Sequence, residues 1–366
     1  MKIKAAVTRE AGKLQFETLE LAAPKAGEVL VKMVACGVCH TDASAMNQFI
    51  PATLPMVMGH EGVGIVEELG AGVNGLKVGD HVVMSFPSCG CCEECYEGHP
   101  YACEHSTELF FKGAYSDGTR RLTDENGQEV SILFGQGSFA DHCIVEARNA
   151  VKVDPDVDLK ALCSLGCGVQ TGAGAVLCRM KPEAGTCFAV FGAGAVGMSA
   201  VMAAKLAGCS TIIAVDLVQS RLDMALEMGA THVINGKECS DVPAKIKEIC
   251  GGKGVHYALE AVGVPVLVQQ MLQSLRSEGL GVLVGVTGGN MIPIQANEWL
   301  MDKNASFAGA VEGAANPQTF IPKLVSFYKE GKLPIDKMTK YYKFEDIEQA
   351  FHDSHTGEVI KPILVF

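Results

Sequence analysis

The sequence predicts an α/β protein with two parts, one β-rich and one built on a doubly wound parallel sheet. Three observations carry that expectation. At 366 residues the chain is long for a single core. Its first part, to about residue 165, reads as short strands broken by glycine turns. Near Thr186 the texture changes to strands alternating with helices, the pattern of parallel βαβ units. The expected division places residues 1–168 and 310–366 in the β-rich domain and 169–309 in the second.

Taken in order, GEVLVKMV (27–34), GVGIVEEL (62–69) and GDHVVM (79–84) are apolar or alternating runs bounded by glycine, which reads as strand. In the second part TCFAVF is a short apolar strand and GAGAVGMSAVMAAKLAG turns into an alanine-rich helix. CSTIIAVD is the next strand and LVQSRLDMALEMGA the next helix, followed by the strands THVIN, HYALEAVG and GLGVLVG. The tail closes with a helical FIPKLVSFYKEG and a strand-like VIKPILVF.

Bulk properties narrow the functional classes. A net charge of −12 argues against nucleic acid, which needs a basic footprint. No apolar run reaches the roughly 18–20 residues that span a bilayer. The opening MKIKAAVTREAGKLQFETLE lacks the apolar stretch and cleavage site of a signal peptide, so a cytoplasmic protein without a membrane partner is expected.

VFGAGAVG sets Gly192, Gly194 and Gly197 in the G-x-G-x-x-G pattern directly after a strand and at the start of a helix. The first glycine permits a tight turn, the second lets a pyrophosphate reach the backbone, and the third packs helix on strand. The helix N-terminus supplies free N–H groups for the phosphates. Asp216 ends the next strand, where a carboxylate would bond the adenosine ribose hydroxyls and repel a 2′-phosphate, favouring NAD over NADP. Arg221, one helical turn on, stands near the ribose or is solvated.

Fifteen cysteines, an odd number scattered from Cys36 to Cys250, do not fit a short secreted disulfide scaffold. Cys89, Cys92, Cys95 and Cys103 follow C-x2-C-x2-C-x7-C, which suits a closed, structural tetrahedral zinc. A ferredoxin-type run would bring its last cysteine after three residues with proline behind it. A redox dithiol is the competing reading, but it does not require four cysteines. Cys91 is left over as a bystander, and Cys143, Cys178, Cys187, Cys209 and Cys250 read as small buried hydrophobes. A second, dispersed set lies in CGVCHTD, MGHEGVG and LGCGVQTG. There Cys39, His60 and Cys167 offer two thiolates and an imidazole with the fourth position open, the donor arrangement of a catalytic zinc. Asp42 is placed to accept the other ring N–H of His60, and Glu61 to approach the metal.

With these motifs in the order GHEGVGIVEELGAGV, four-cysteine loop, LGCGVQTG and VFGAGAVG, the whole chain resembles the zinc-dependent medium-chain alcohol dehydrogenases. GAVEGAANPQTFIPKLVSFYKEGKLP is similar to the benzyl, or aryl, branch. The resemblance implies a GroES-like catalytic domain, a Rossmann domain, NAD, two zinc ions per subunit, a small alcohol or aldehyde substrate, and a homodimer or homotetramer. It implies that Thr41 bonds the substrate hydroxyl, that His40 meets the pyrophosphate, and that Thr171 and Val196 line the nicotinamide. Lys361 falls where many members carry an arginine that touches phosphate, and keeps the charge without the fork. Ser44 replaces a histidine that passes the proton to solvent, which leaves the last relay step to water or another base. Glu312 stands where ethanol-oxidising members have an apolar pocket residue, and Ser85 where many carry phenylalanine, which would make room for an aromatic ring.

The implied reaction is reversible hydride transfer between a primary, aromatic alcohol and NAD. The runner-up is an aliphatic or S-(hydroxymethyl)glutathione-type dehydrogenase on the same machinery. A cofactor-binding scaffold protein is the reading from another class, and an intact open zinc site speaks against it.

Overall fold

A computed structural model describes residues 1–366, and the chain divides into two units. One comprises Met1–Cys167, Asn316–Lys329 and Ile335–Phe366, the other Gly168–Ala315 and Glu330–Pro334. The second division falls after Ala315 rather than after residue 309. Strand Ser306–Gly309 pairs with Leu275–Leu283, and the turn Val311–Ala314 packs on helix Gly168–Gly174, so both stay with the parallel sheet.

The first unit is built from two β systems. Lys2–Thr8, Gln15–Leu21, Leu122–Thr123, Glu129–Ile132 and Met56–Val57 close a small barrel. Beside it runs a sheet ordered Ala150–Lys152, His81–Met84, Glu61–Leu69, Glu28–Gly37, Lys361–Val365 and Thr339–Lys343, with His142–Glu146 also paired to Glu28–Gly37. Its core includes Val29, Val31, Val66, Val82 and Met84, each fully buried. Successive side chains of GEVLVKMV point to opposite faces, and both faces are covered: Val29, Val31 and Met33 enter one core and Leu30 the other, with Lys32 alone exposed within the strand. This sheet sets the metal ligands: Glu61 begins one central strand and the neighbouring strand ends at Gly37, two residues before Cys39.

The second unit is a six-stranded sheet in the order His232–Asn235, Thr211–Asp216, Cys187–Phe191, Val255–Glu260, Leu275–Leu283 and Ser306–Gly309, every neighbour parallel. In sequence rank that order is 3-2-1-4-5-6, the doubly wound arrangement in which a dinucleotide binds beyond the carboxyl ends of the strands. The central strand is buried on both faces, so it reads as an unbroken apolar run. Phe188, Val190 and Phe191 are completely buried, each contributing about 1.5–3 kcal/mol relative to exposure. No single helix is long and apolar enough to cross a membrane.

Candidate active site and metal centres

The donor atoms of Cys39, His60, Glu61 and Cys167 all lie within 4.8 Å of one another, although their residues come from three separate segments. Cys39 caps the short helix His40–Met46. The Asp42 side chain reaches back to the Cys39 N–H at 3.0 Å through Oδ2. Its other oxygen accepts from Gly59 N at 3.0 Å and pairs with His60 Nδ1 at 2.9 Å. One fully buried carboxylate therefore fixes two of the donors and turns His60 Nε2 toward the thiols. Gly59 has a φ of +92°, and a Cβ there would meet Phe139 N at 2.5 Å, so only glycine lets the chain enter His60 this way.

Two further side chains complete the frame. Gln136 donates to His60 O at 2.9 Å and Ser85 O at 3.1 Å, and accepts from Gly62 N at 3.3 Å. Ser85 donates to Gly166 O at 2.8 Å, holding the carbonyl that precedes Cys167. The small size of Ser85 thus comes with a specific bond that tethers a ligand's backbone. Gly166 is needed as well, since a Cβ would lie 2.1 Å from Met84 O.

These donors fit a soft divalent metal. His60 Nε2 is buried without a hydrogen-bond partner. Burial disfavours charge on the imidazole, but Asp42 and Cys39 outweigh it and raise its pKa well above 6.5. A bond to Cys167, with His60 assisting, overcomes burial and holds the Cys39 thiol well below its usual range. The pocket thus stabilises thiolate against a positive centre, the electrostatic demand of a zinc with two sulfur ligands and one nitrogen ligand.

Lys361, expected at a phosphate, is 2% exposed and bonds both oxygens of Glu61, at 2.9 and 2.8 Å, and Val38 O at 3.2 Å. It begins a strand that lies between two others, so its side chain runs into the unit. An ammonium has three protons, and the three contacts account for them. Burial works against its charge, but Glu61 and Cys39 prevail and raise its pKa above the usual lysine range. Gly37 makes space for this pair: a Cβ there would sit 2.1 Å from Glu61 Oε2. Thr41 and Ser44 are half-buried, three residues apart on helix His40–Met46, while His40 is exposed at its start.

An aromatic group that sequence reasoning missed adjoins this centre. Phe134 lies over the His60 ring at 4.8 Å, and Phe110 stacks on Phe134 at 4.3 Å with 19° between planes. Phe111 meets Phe134 edge-on at 5.4 Å. Phe134 takes a left-handed φ of +51°, uncommon for a bulky residue and costing of order 1–3 kcal/mol, so the surroundings impose it.

In the four-thiol loop the sulfurs of Cys89, Cys92, Cys95 and Cys103 lie within 4.8 Å of one another, with Cys89 and Cys95 3.9 Å apart. A zinc tetrahedron with bonds of about 2.3 Å has edges of about 3.8 Å. The amides of Cys91 and Cys92 donate to Cys89 Sγ at 3.5 and 3.3 Å, and Cys89 N donates to Cys103 Sγ at 3.3 Å. Burial raises the Cys89 pKa, but those amides outweigh it and bring the thiol down to about 6. Four thiols so placed, none in a disulfide, fit a metal that neutralises them together.

In the parallel unit, Gly192 turns at φ +97° and Gly197 packs so closely that a Cβ would meet Gly192 O at 1.8 Å. Nothing lies within 4 Å of a Cβ at Gly194, which caps the helix Ala195–Leu206, so the space before that turn is open to a phosphate. Asp216 Oδ2 accepts from Ala193 N at 2.7 Å, while Oδ1 accepts from Leu217 N and Val218 N, so the carboxylate braces the glycine turn. Arg221 is half-buried, with its Nε unbonded. Gly172 brings helix Gly168–Gly174, which carries Thr171, against the Val196 carbonyl, 2.0 Å from where a Cβ would stand. Thr171 Oγ1 and Gln170 Nε2 each donate to Glu312 at 3.4 Å. Glu260, also missed, accepts from Val262 N and Gly263 N at the end of its strand.

A cluster of thiol, imidazole and carboxylate donors and a glycine-turn dinucleotide cradle in one chain are the marks of a metal-dependent dehydrogenase. More particularly, the chain belongs to the zinc-dependent medium-chain alcohol dehydrogenases. Residues 25–155 match the alcohol dehydrogenase GroES-like domain, and residues 195–330 match the zinc-binding dehydrogenase family. It is 39% identical to a geraniol dehydrogenase of Castellaniella defragrans over 99% of this chain and 97% of that protein. The solved benzyl alcohol dehydrogenase of Acinetobacter calcoaceticus is 43% identical with a TM-score of 0.96, covering 100% of this chain and 99% of that one. A zinc-binding alcohol dehydrogenase domain protein from Burkholderia ambifaria is 46% identical with a TM-score of 0.97, at the same coverage.

Proposed function

We propose that the protein oxidises primary aromatic alcohols to aldehydes, reversibly, with NAD as hydride acceptor. Cys39, His60 and Cys167 would hold the catalytic zinc, and Cys89, Cys92, Cys95 and Cys103 a structural one. The catalytic ion, when bound, supplies Lewis acidity that lowers the pKa of the substrate hydroxyl. Asp42 keeps the proton on His60 Nδ1, so that Nε2 presents its lone pair. Thr41, on helix His40–Met46, would accept the substrate's hydroxyl proton as it hands its own on to water, since Ser44 supplies no base for the last step. Asp216 supports NAD over NADP, because its carboxylate would repel a 2′-phosphate. The Lys361–Glu61 pair keeps a buried carboxylate neutralised beside the thiolates.

The observation that carries the substrate class is the aromatic group at His60. Phe134 lies against His60 and Phe110 stacks on Phe134, so a flat apolar wall adjoins one of the proposed donors, which suits a substrate whose carbinol carbon is attached to a planar π system. Benzyl alcohol and geraniol, named for two of the relatives, both have an sp2 carbon beside the carbinol. The test is a rate panel of benzyl, cinnamyl, allylic and aliphatic alcohols with NAD and with NADP, with and without a chelator. We expect kcat/KM for benzyl alcohol to exceed that for ethanol by at least about a hundredfold, the equivalent of burying one aromatic ring. Equal values would defeat the aromatic assignment, and faster turnover with NADP would defeat the cofactor assignment.

A further inference from the structure

The four-thiol loop carries one thiol more than a tetrahedral site uses. Cys91 is exposed, and its backbone N–H donates to the sulfur of Cys89, a proposed zinc ligand, at 3.5 Å. Gly90 separates them and turns at φ +70°. A side chain there would collide with Arg148 Nη1 at 1.8 Å, and that guanidinium grips Cys89 O at 2.6 Å. The turn is therefore held folded. Even a fully extended Cys-Gly-Cys places its outer Cα atoms only about 7 Å apart, and a turn brings them into the disulfide range of about 4.4–6.8 Å. Cys89 and Cys91 also both line a cavity of about 390 Å³ with His105, Lys112, Tyr115 and Ser116, large enough to admit a small oxidant.

We propose that Cys91 is a peroxide-sensing thiol which, once oxidised, is captured by Cys89 and so opens the structural metal loop. The inference rests on the reading of the loop as a zinc site and goes beyond it. A hydroperoxide is the oxidant. The Cys91 sulfur attacks one peroxide oxygen, the O–O bond breaks, and the other oxygen leaves as hydroxide or alkoxide, giving a sulfenic acid. The Cys89 sulfur then attacks the Cys91 sulfur, so that an S–S bond forms while the S–O bond breaks and hydroxide departs. The two sulfurs together lose two electrons, which the peroxide gains, and the thiol protons end in water. Cys89 is then no longer a thiolate, and Cys92, Cys95 and Cys103 remain as an incomplete donor set.

The experiment uses the zinc-loaded enzyme, whose metal is counted first. Hydrogen peroxide is added with a chromogenic zinc chelator, and the peptides are then mapped by mass spectrometry. Wild type should start with two zinc ions per chain, matching the two cysteine-bearing donor sets, and release one while a Cys89–Cys91 disulfide appears. Dithiothreitol with added zinc should restore the starting count. Cys91→Ser should start with the same zinc content and turnover, and release metal at least about tenfold more slowly. A starting count of one or none overturns the zinc reading and the proposal with it. Two zinc ions with equal release in both proteins, or Cys91 carried on to sulfinic acid with the zinc retained, overturn the proposal alone.

Discussion

Replacing Lys361 by methionine should leave the Glu61 carboxylate buried at 0% exposure without its cation. The lysine makes two contacts with that carboxylate, at 2.9 and 2.8 Å, and one with Val38 O, at 3.2 Å. Methionine keeps most of the volume, so the loss is electrostatic and not a cavity. Removing one partner of a buried ion pair costs about 3–5 kcal/mol, because the remaining charge is uncompensated. For a unit of this size each kcal/mol moves the thermal midpoint by roughly 2–4 °C, so a fall of roughly 6–20 °C is expected. The pair itself is worth far less than its breakage costs, so Lys361→Met combined with Glu61→Gln should recover at least half of that fall. The assay is thermal unfolding of wild type, both single variants and the double variant at pH 7, with zinc content read in parallel. That second reading matters because Glu61 is within 4.8 Å of the other donors, and a freed carboxylate can turn to the metal. A double variant as unstable as Lys361→Met, with zinc content equal, would show that the two residues are not energetically coupled and would refute the reasoning.

Two further expectations test the other parts of the structure. Gly194→Ala should fold as the wild type does, because its methyl meets nothing within 4 Å, yet weaken NAD binding by at least about tenfold by filling the phosphate approach. Gly197→Ala should instead lose about 1–3 kcal/mol of stability, since its methyl meets Gly192 O at 1.8 Å, and the opposite ranking in calorimetry and NAD titration would contradict both assignments. Asp353 accepts from Tyr342, Gln349 and Lys340, in that order of effect, which depresses its carboxyl pKa to about 2. A depressed acid stabilises fully above its unfolded pKa of about 3.9 and loses that contribution as pH falls toward 2, so the midpoint gap between wild type and Asp353→Asn should be widest at pH 6 and narrow below pH 4. A gap independent of pH would remove the carboxylate's charge from the account.

What the sequence makes legible follows from how locally each feature is written. The glycine turn needs three residues within six positions, and its chemistry depends on backbone, so VFGAGAVG announces it. The four-thiol loop is likewise confined to fifteen positions. The parallel sheet is legible because strands buried on both faces leave unbroken apolar runs. Phe134 carries no such mark. It matters because helix Ser106–Phe111 and the segment after strand Glu129–Ile132 converge on His60, and that meeting is set by tertiary contacts. Gln136 was in plain view within GQGSFADH, but its partners are 51 to 76 positions away. Lys361 shows a third kind of limit: its position was read from resemblance, whereas its partner Glu61 lies 300 residues distant and could be assigned only from the packed strands.

The proposed zinc donors Cys39, His60 and Cys167 are joined less by proximity along the chain than by three side chains behind them. Asp42 links Cys39 to His60, Gln136 links His60 to the backbone of Ser85, and Ser85 links to Gly166, whose carbonyl leads into Cys167. All three are fully or almost fully buried, at 0%, 1% and 0% exposure, so each bond is worth making and expensive to leave unmade. A break anywhere in that series would free one donor to move independently of the other two. The centre's precision therefore resides in the neutral and anionic side chains behind the ligands, and conservative exchanges there should loosen metal geometry while every ligand remains in place.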